Sequence, residues 1–178
     1  ISNMYIYEVK QHQNEILNRV KQLPIKNLHY LVVQQSLKEK VLTLNEIKKH
    51  IRRGIKKYIL NTYNSKYRTE LENELVKYYC FFETSKDFFW SQHSNHKIDE
   101  VFDIRFHFHL FISSSNDLIN IPKVISYILF ELNTQKNKQK SISKVDFIKL
   151  EDLNSDFVLY HTKQLMFRPS NELVMTNV

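Results

Sequence analysis

The chain has 178 residues, 42% of them hydrophobic and 25% charged, which suits one domain with its own core and excludes a disordered tail. Lys and Arg outnumber Asp and Glu by 26 to 19, a net charge of +7 that favours polyanionic partners, nucleic acid or an anionic membrane surface. One cysteine, Cys80, rules out an internal disulfide, and one glycine, Gly54, rules out both a GxxxxGK phosphate loop and a GxGxxG dinucleotide fingerprint.

In chain order, residues 5–22 carry Ile6, Val9, Ile16 and Val20 as apolar markers and predict a helix that stops before Pro24. Leu28–Gln35 is rich in β-formers and predicts a strand. Thr43 or Asn45 then caps a helix through Ile47, Ile51, Ile55 and Ile59, whose other face is basic: Lys48, Lys49, Arg52, Arg53, Lys56 and Lys57. A further helix is expected over 65–77 and a strand over 77–84, followed by a polar, turn-rich insert at 85–100. The next strand covers 101–113, and Pro122 lies in the first turn of a helix through Ile125, Ile128, Leu129 and Leu132. A basic loop at 134–143 leads to a strand at 143–150, and a last helix runs from a cap at Asn154 or Ser155 to about Met166, ended by Pro169. The irregular order of strands and helices predicts an α+β fold with a central antiparallel sheet flanked by helices. No apolar run reaches the ~18 residues that span a bilayer, and no secretory signal opens the sequence. A membrane association is therefore not expected, and the start at Ile1-Ser2 suggests a piece of a larger intracellular protein.

The chemistry concentrates in the strand at 101–112. Its even positions are Phe102, Ile104, Phe106, Phe108, Leu110 and Ile112, all apolar, so this row packs against helices. The odd row is Val101, Asp103, Arg105, His107, His109 and Phe111, and its middle reads as a polar stripe. Alternate residues on a strand point the same way with Cβ atoms about 6.5–7 Å apart. Two imidazoles at that spacing can converge on one ion at about 2.0–2.2 Å each. On the strand before it, Tyr79, Phe81 and Glu83 share one face, with Tyr78, Cys80 and Phe82 on the other. If the two strands pair, Glu83 completes a His-His-Glu set with open positions for water and substrate oxygens. Gln34, Gln35 and His93 are alternatives for the third ligand. His93 and His96, with Cys80 or His107, form a competing constellation for structural zinc, though without the paired cysteines such sites usually have.

On the last helix Tyr160 and Lys163 are one turn apart and share a face, while Val158, Leu159 and Leu165 supply its buried side. An ammonium beside a phenol, and a metal-polarised phosphate in front of it, both favour the phenolate as nucleophile. His161 faces elsewhere and is not assigned a part in the chemistry.

Arg105-Phe106-His107-Phe108-His109-Leu110-Phe111-Ile112 resembles the His-hydrophobic-His motif of HUH endonucleases, the rolling-circle replication initiators and their relaxase and transposase relatives. Tyr160-His161-Thr162-Lys163 resembles the tyrosine motif of the same family, about fifty residues downstream (107 to 160), and Leu28–Gln35 its loosely defined first strand motif. The resemblance covers roughly residues 28–166; 1–24 stands outside as a helical extension, 85–100 as an insert and 167–178 as a C-terminal tail. It implies a five-stranded antiparallel sheet and site-specific nicking of single-stranded DNA for rolling-circle replication or transposition. His107, His109 and Glu83 would be ligands of Mg²⁺ or Mn²⁺, Tyr160 the single nucleophile and Lys163 its electrostatic partner. The expected partner is single-stranded DNA at an origin hairpin or nick site, with any helicase outside this segment. Arg105, Lys48, Arg52, Arg53 and the loop lysines Lys136, Lys138 and Lys140 are candidates for phosphate contact. Phe88, Phe89 and Trp90 are candidates for stacking on unpaired bases. The competing reading is a non-catalytic, basic nucleic-acid-binding domain, with or without a zinc ion.

Overall fold

Ten elements build the chain in a computed structural model that describes residues 3–35, 42–63, 69–84, 106–133, 142–163 and 173–178. They are α1 (Asn3–Val20), β1 (His29–Gln35), α2 (Leu44–Tyr63), α3 (Thr69–Leu75), β2 (Lys77–Glu83), β3 (His107–Ser113), α4 (Ile121–Asn133), β4 (Ile142–Lys149), α5 (Ser155–Tyr160) and β5 (Val174–Thr176). The fold is α+β, with a five-stranded antiparallel sheet in the order β4-β1-β3-β2-β5. Among the described residues no helix is long and apolar enough to cross a membrane.

Local chemistry sets the element ends. Thr43 and Glu46 form a capping box at the start of α2: the Glu46 amide donates to Thr43 Oγ1 at 3.2 Å, and the Thr43 hydroxyl donates to the Glu46 carboxylate at 3.3 Å. Asn120 caps α4 by accepting from the Lys123 amide, so Pro122 sits inside the first turn, where its missing N–H leaves no bond unmade. Asn154 caps α5 through two accepted amide bonds, from Asp156 and Phe157.

The apolar even row of β3 packs as its alternation requires. Phe108, Leu110 and Ile112 lie in register with Phe82, Cys80 and Tyr78 of β2 and with Val33, Leu31 and His29 of β1. α2 and α4 pack against each other over this face. Their closest approach is at Gly54, packed against the backbone of Ile128.

The opposite face departs from expectation. It was read as a polar face, yet Tyr79, Phe81 and Phe111 on it are buried. α1 and α5 pack together and cover it, with Phe157 of α5 edge-on against Tyr30 and Phe111. The sheet therefore has helices on both faces, and the Glu83–His107 end of the second face carries the histidines and the carboxylate. Residues 3–20, read as an extension beside the core, help form that core: Ile16 and Val20 are buried.

Three boundaries also move. The helix expected over 65–77 is described only as α3, because β2 begins at Lys77. The last helix is shorter than expected and ends at Tyr160, and Thr162 Oγ1 donates to the Leu159 carbonyl at 2.6 Å. The amides of His161 and Thr162 bond three residues back, to Val158 and Leu159, which tightens the last turn. The segment read as a C-terminal tail holds β5, an outer strand paired with β2 and extended by Asn177, whose side chain accepts from the Tyr78 amide and donates to the Val76 carbonyl. The strand portion 101–105 and the insert 85–100 lie outside the described residues.

Candidate metal centre

The β2–β3 register decides the third ligand. Glu83 stands directly opposite His107, and Phe81 opposite His109, so the carboxylate and both imidazoles share one end of one face. Their ligand atoms all lie within 4.8 Å of one another. His107 Nε2 is 3.0 Å from Glu83 Oε2, and His109 Nε2 is 3.6 Å from the same oxygen. The Glu83 side chain is only 3% exposed, while His107 at 28% and His109 at 14% open toward solvent. Burial pushes the Glu83 pKa up, but the hydrogen bond with His107, the close approach of His109 and the charge of Lys163 outweigh it, leaving the carboxyl well below the usual carboxylate range.

The other oxygen, Glu83 Oε1, is buried without a hydrogen-bond partner among the described residues. A buried, ionised carboxylate with an unused oxygen beside two imidazoles is a donor set that a divalent cation completes. Glu83, His107 and His109 thus form a possible metal-binding group.

The alternatives for that place fare differently. The Gln35 side chain accepts from the Leu42 amide and donates to the Leu42 and Phe106 carbonyls, so it pins the residue before His107 and is not a ligand. Gln34 is exposed near the end of β1. Cys80 is buried on the opposite face of β2 and cannot join a site with His107. Its thiol pKa is pushed up by burial, which keeps it protonated and inert. His93 and His96, and with them the insert-based zinc constellation, lie outside the described residues.

Tyr160 and Lys163 meet this group from α5 and the turn after it. Lys163 Nζ is 3.4 Å from Glu83 Oε2 and 4.3 Å from the centre of the Tyr160 ring. Burial alone would lower its pKa, but the Glu83 charge and a hydrogen bond with Tyr160 raise it above the ordinary value, so Lys163 stays an ammonium. Tyr160 is 62% exposed and open to an incoming ligand.

The two residues between them face inward. Thr162 is buried and accepts from Gln13 of α1 at 3.1 Å, tying the turn to the first helix. His161 is buried as well, although it was read as facing away from the chemistry. Its Nε2 is 2.6 Å from the Tyr30 hydroxyl, which is 2.6 Å from His109 Nδ1. Tyr30 and His161 are the residues that sequence reasoning missed. A usable signal existed for Tyr30, a polar-tipped residue beside the apolar run Leu31–Val33.

His161 supplies a pH-dependent part of stability. Burial first, then the charge of His109, holds its pKa at about 4, against the opposing pull of the Phe157 carbonyl and Glu83. Between its ordinary value near 6.5 and about 4, the unfolded chain binds a proton that the native ring refuses. Stability should therefore fall by about 3 kcal/mol as pH drops through that window, and change little from this source above it. Urea titrations of wild type and His161→Gln in chelator-treated buffer at pH 7.5 and pH 4 measure this. Identical pH dependence in the two proteins would refute it.

The basic residues of α2 occupy the other layer. Lys48 Nζ stands over the Phe82 ring, and Arg52 hydrogen-bonds Tyr78, both on the face opposite the histidines. Arg53 is exposed on the same helix, and Lys57 pairs with Glu131 of α4. The structure does not bring Lys48, Arg52 or Arg53 to the metal-binding group. Arg105, Phe88, Phe89, Trp90, Lys136, Lys138 and Lys140 lie outside the described residues.

Comparison of the chain with family models, with curated proteins and with solved structures finds no match.

Proposed function

We propose that the chain is a metal-dependent, sequence-specific nickase and strand transferase for single-stranded DNA, of the single-tyrosine HUH kind, acting through a covalent 5′-phosphotyrosine. One observation carries the reading: an exposed tyrosine and a lysine three residues on stand at a Glu-His-His group whose carboxylate is buried, with the lysine ammonium 3.4 Å from that carboxylate. The five-stranded antiparallel sheet and the order of the motifs agree with it.

A divalent ion on Glu83, His107 and His109 would offset negative charge building on a non-bridging oxygen of the scissile phosphate. Imidazole ligands favour Mn²⁺ in intrinsic affinity, and Mg²⁺ is the ion a cell offers in abundance. Tyr160 presents its oxygen to phosphorus, and Lys163 favours the phenolate by its charge. As the new O–P bond forms, the phenolic proton is lost to solvent and the bond from phosphorus to the 3′ oxygen breaks. That oxygen takes up a proton and leaves as a free 3′-hydroxyl. The phosphotyrosine conserves the bond, so the reverse reaction rejoins a strand.

The test is an incubation with a pool of single-stranded oligonucleotides and Mn²⁺, read on a denaturing gel. Wild type is expected to give a DNA adduct that survives denaturation, and Tyr160→Phe none. Equal behaviour of the two proteins sinks the enzyme reading. Retarded bands on native gels with no adduct on denaturing gels would favour the non-catalytic binding domain instead.

A further inference from the structure

A metal-ligating imidazole must present a bare nitrogen, and which nitrogen is bare depends on what holds the proton of the other. The hydrogen bonds behind His109 answer this from the far end. His161 Nδ1 lies 2.8 Å from the Phe157 carbonyl, which can only accept, so Nδ1 carries the proton. The neutral His161 ring then has a bare Nε2, which accepts from the Tyr30 hydroxyl at 2.6 Å. A tyrosine hydroxyl has one proton, and here it is committed to His161. Toward His109 Nδ1, also 2.6 Å away, the same oxygen can only accept. His109 therefore donates from Nδ1, and its Nε2 lone pair is left facing Glu83 Oε2 at 3.6 Å, beyond hydrogen-bond distance.

We infer that Tyr30 and His161 are positioning residues for the metal centre: the chain from the Phe157 carbonyl through His161 and Tyr30 sets the tautomer of His109 and aims its Nε2 at the ion. The inference rests on reading Glu83, His107 and His109 as a metal centre. Its geometry is well enclosed. Tyr30 stacks on His109 with ring centres 5.9 Å apart, and His161 is held edge-on by His109 at 4.6 Å and by Phe157 at 4.9 Å. His161 is buried at 2% exposure, so water does not compete for its Nε2. The arrangement also gives the residue after Tyr160 a reason to be histidine. It joins the turn carrying the tyrosine and lysine to the ligand strand through a directed chain of bonds and not through packing alone.

The experiment has two arms. In the first, metal-free protein with ¹⁵N-labelled histidine is held at pH 8.5, and long-range ¹H–¹⁵N correlation spectra report which ring nitrogen of His109 is protonated. Wild type is expected to show the Nδ1–H form. Tyr30→Phe, which removes only the hydroxyl, should release the ring to the Nε2–H form that free imidazole side chains prefer. His161→Phe should do the same, because the Tyr30 hydroxyl loses its acceptor and turns to donate to His109 Nδ1. His161→Gln, whose amide oxygen still accepts, should keep the Nδ1–H form.

In the second arm Mn²⁺ alone is titrated into the same proteins. Tyr30→Phe and His161→Phe should bind about 10–100-fold more weakly, the range for loss of an outer-shell partner, and His161→Gln within about threefold of wild type, well short of that loss. An Nε2–H ring in wild-type protein, or a Tyr30→Phe protein with unchanged tautomer, overturns the relay. His161→Gln matching His161→Phe overturns the part given to His161. Wild type that shows Nδ1–H and the predicted switches yet takes up no Mn²⁺ upholds the relay and overturns the metal centre, so the two readings fail separately.

Discussion

Glu83→Gln is expected to abolish the stabilisation of this protein by Mn²⁺. Binding of an ion to the native state alone adds free energy by mass action, about 2.7 kcal/mol at a hundredfold excess over the dissociation constant. For a chain of this length that raises the melting temperature by roughly 5–10 °C. Glutamine keeps the shape of the side chain but removes the charge from the most buried of the three ligands, whose Oε1 has no other partner among the described residues. Imidazoles at His107 and His109 alone make a two-point site on a partly open surface. We expect affinity to drop by more than about 100-fold, beyond what outer-shell changes cost. Paired thermal melts with Mn²⁺ and with chelator decide it: the variant should melt at one temperature in both. A metal-induced shift in Glu83→Gln equal to that of wild type would remove Glu83 from the site and with it the three-ligand centre.

The second large effect lies far from the chemistry. Gly54 is buried where α2 meets α4, and a Cβ there would stand 2.6 Å from Ile128 Cα and 2.7 Å from Ile128 N. Those are backbone atoms, so no side-chain rotation relieves the overlap and the helices must part. Alanine is the better helix former by about 1 kcal/mol, which offsets only part of the strain. A net loss of about 3 kcal/mol is expected for Gly54→Ala, a drop of roughly 6–12 °C in melting temperature. A variant that melts at or above the wild-type temperature would show that the α2–α4 crossing is looser than the structure places it. Because α2 and α4 cover the face opposite the histidines, Mn²⁺ affinity of the folded variant should be unchanged.

Much of this was legible in one dimension. The unbroken apolar row from Phe106 to Ile112 told which way His107 and His109 face, because side chains on a strand alternate with period two. Their shared face follows from local geometry that any folded form of the strand obeys, whereas Tyr160 and Lys163 meet although the helix expected to space them ends at Tyr160. The same reasoning misjudged what lies over the histidine face. Tyr79, Phe81 and Phe111 are as apolar as the even row, yet the polar stripe beside them hid that they face a second layer of helices. Burial there depends on α1, more than eighty residues upstream of His107. β5 was invisible for a different reason: three residues hold too little alternation to detect, and its partner strand lies some ninety-five residues away.

The sequence by itself determined the ligand types, the pairing of the two histidines on one face and the presence of a tyrosine and lysine at helical spacing. Those are consequences of backbone periodicity and need no partner. Only the tertiary structure decided which carboxylate joins them, through the pairing of Glu83 with His107 across β2 and β3. Only it placed His161, 131 residues from Tyr30, behind the ligand His109. Contacts at such separations are set by how helices dock on a sheet, and no local pattern in the chain encodes which side chain will be waiting on the other side.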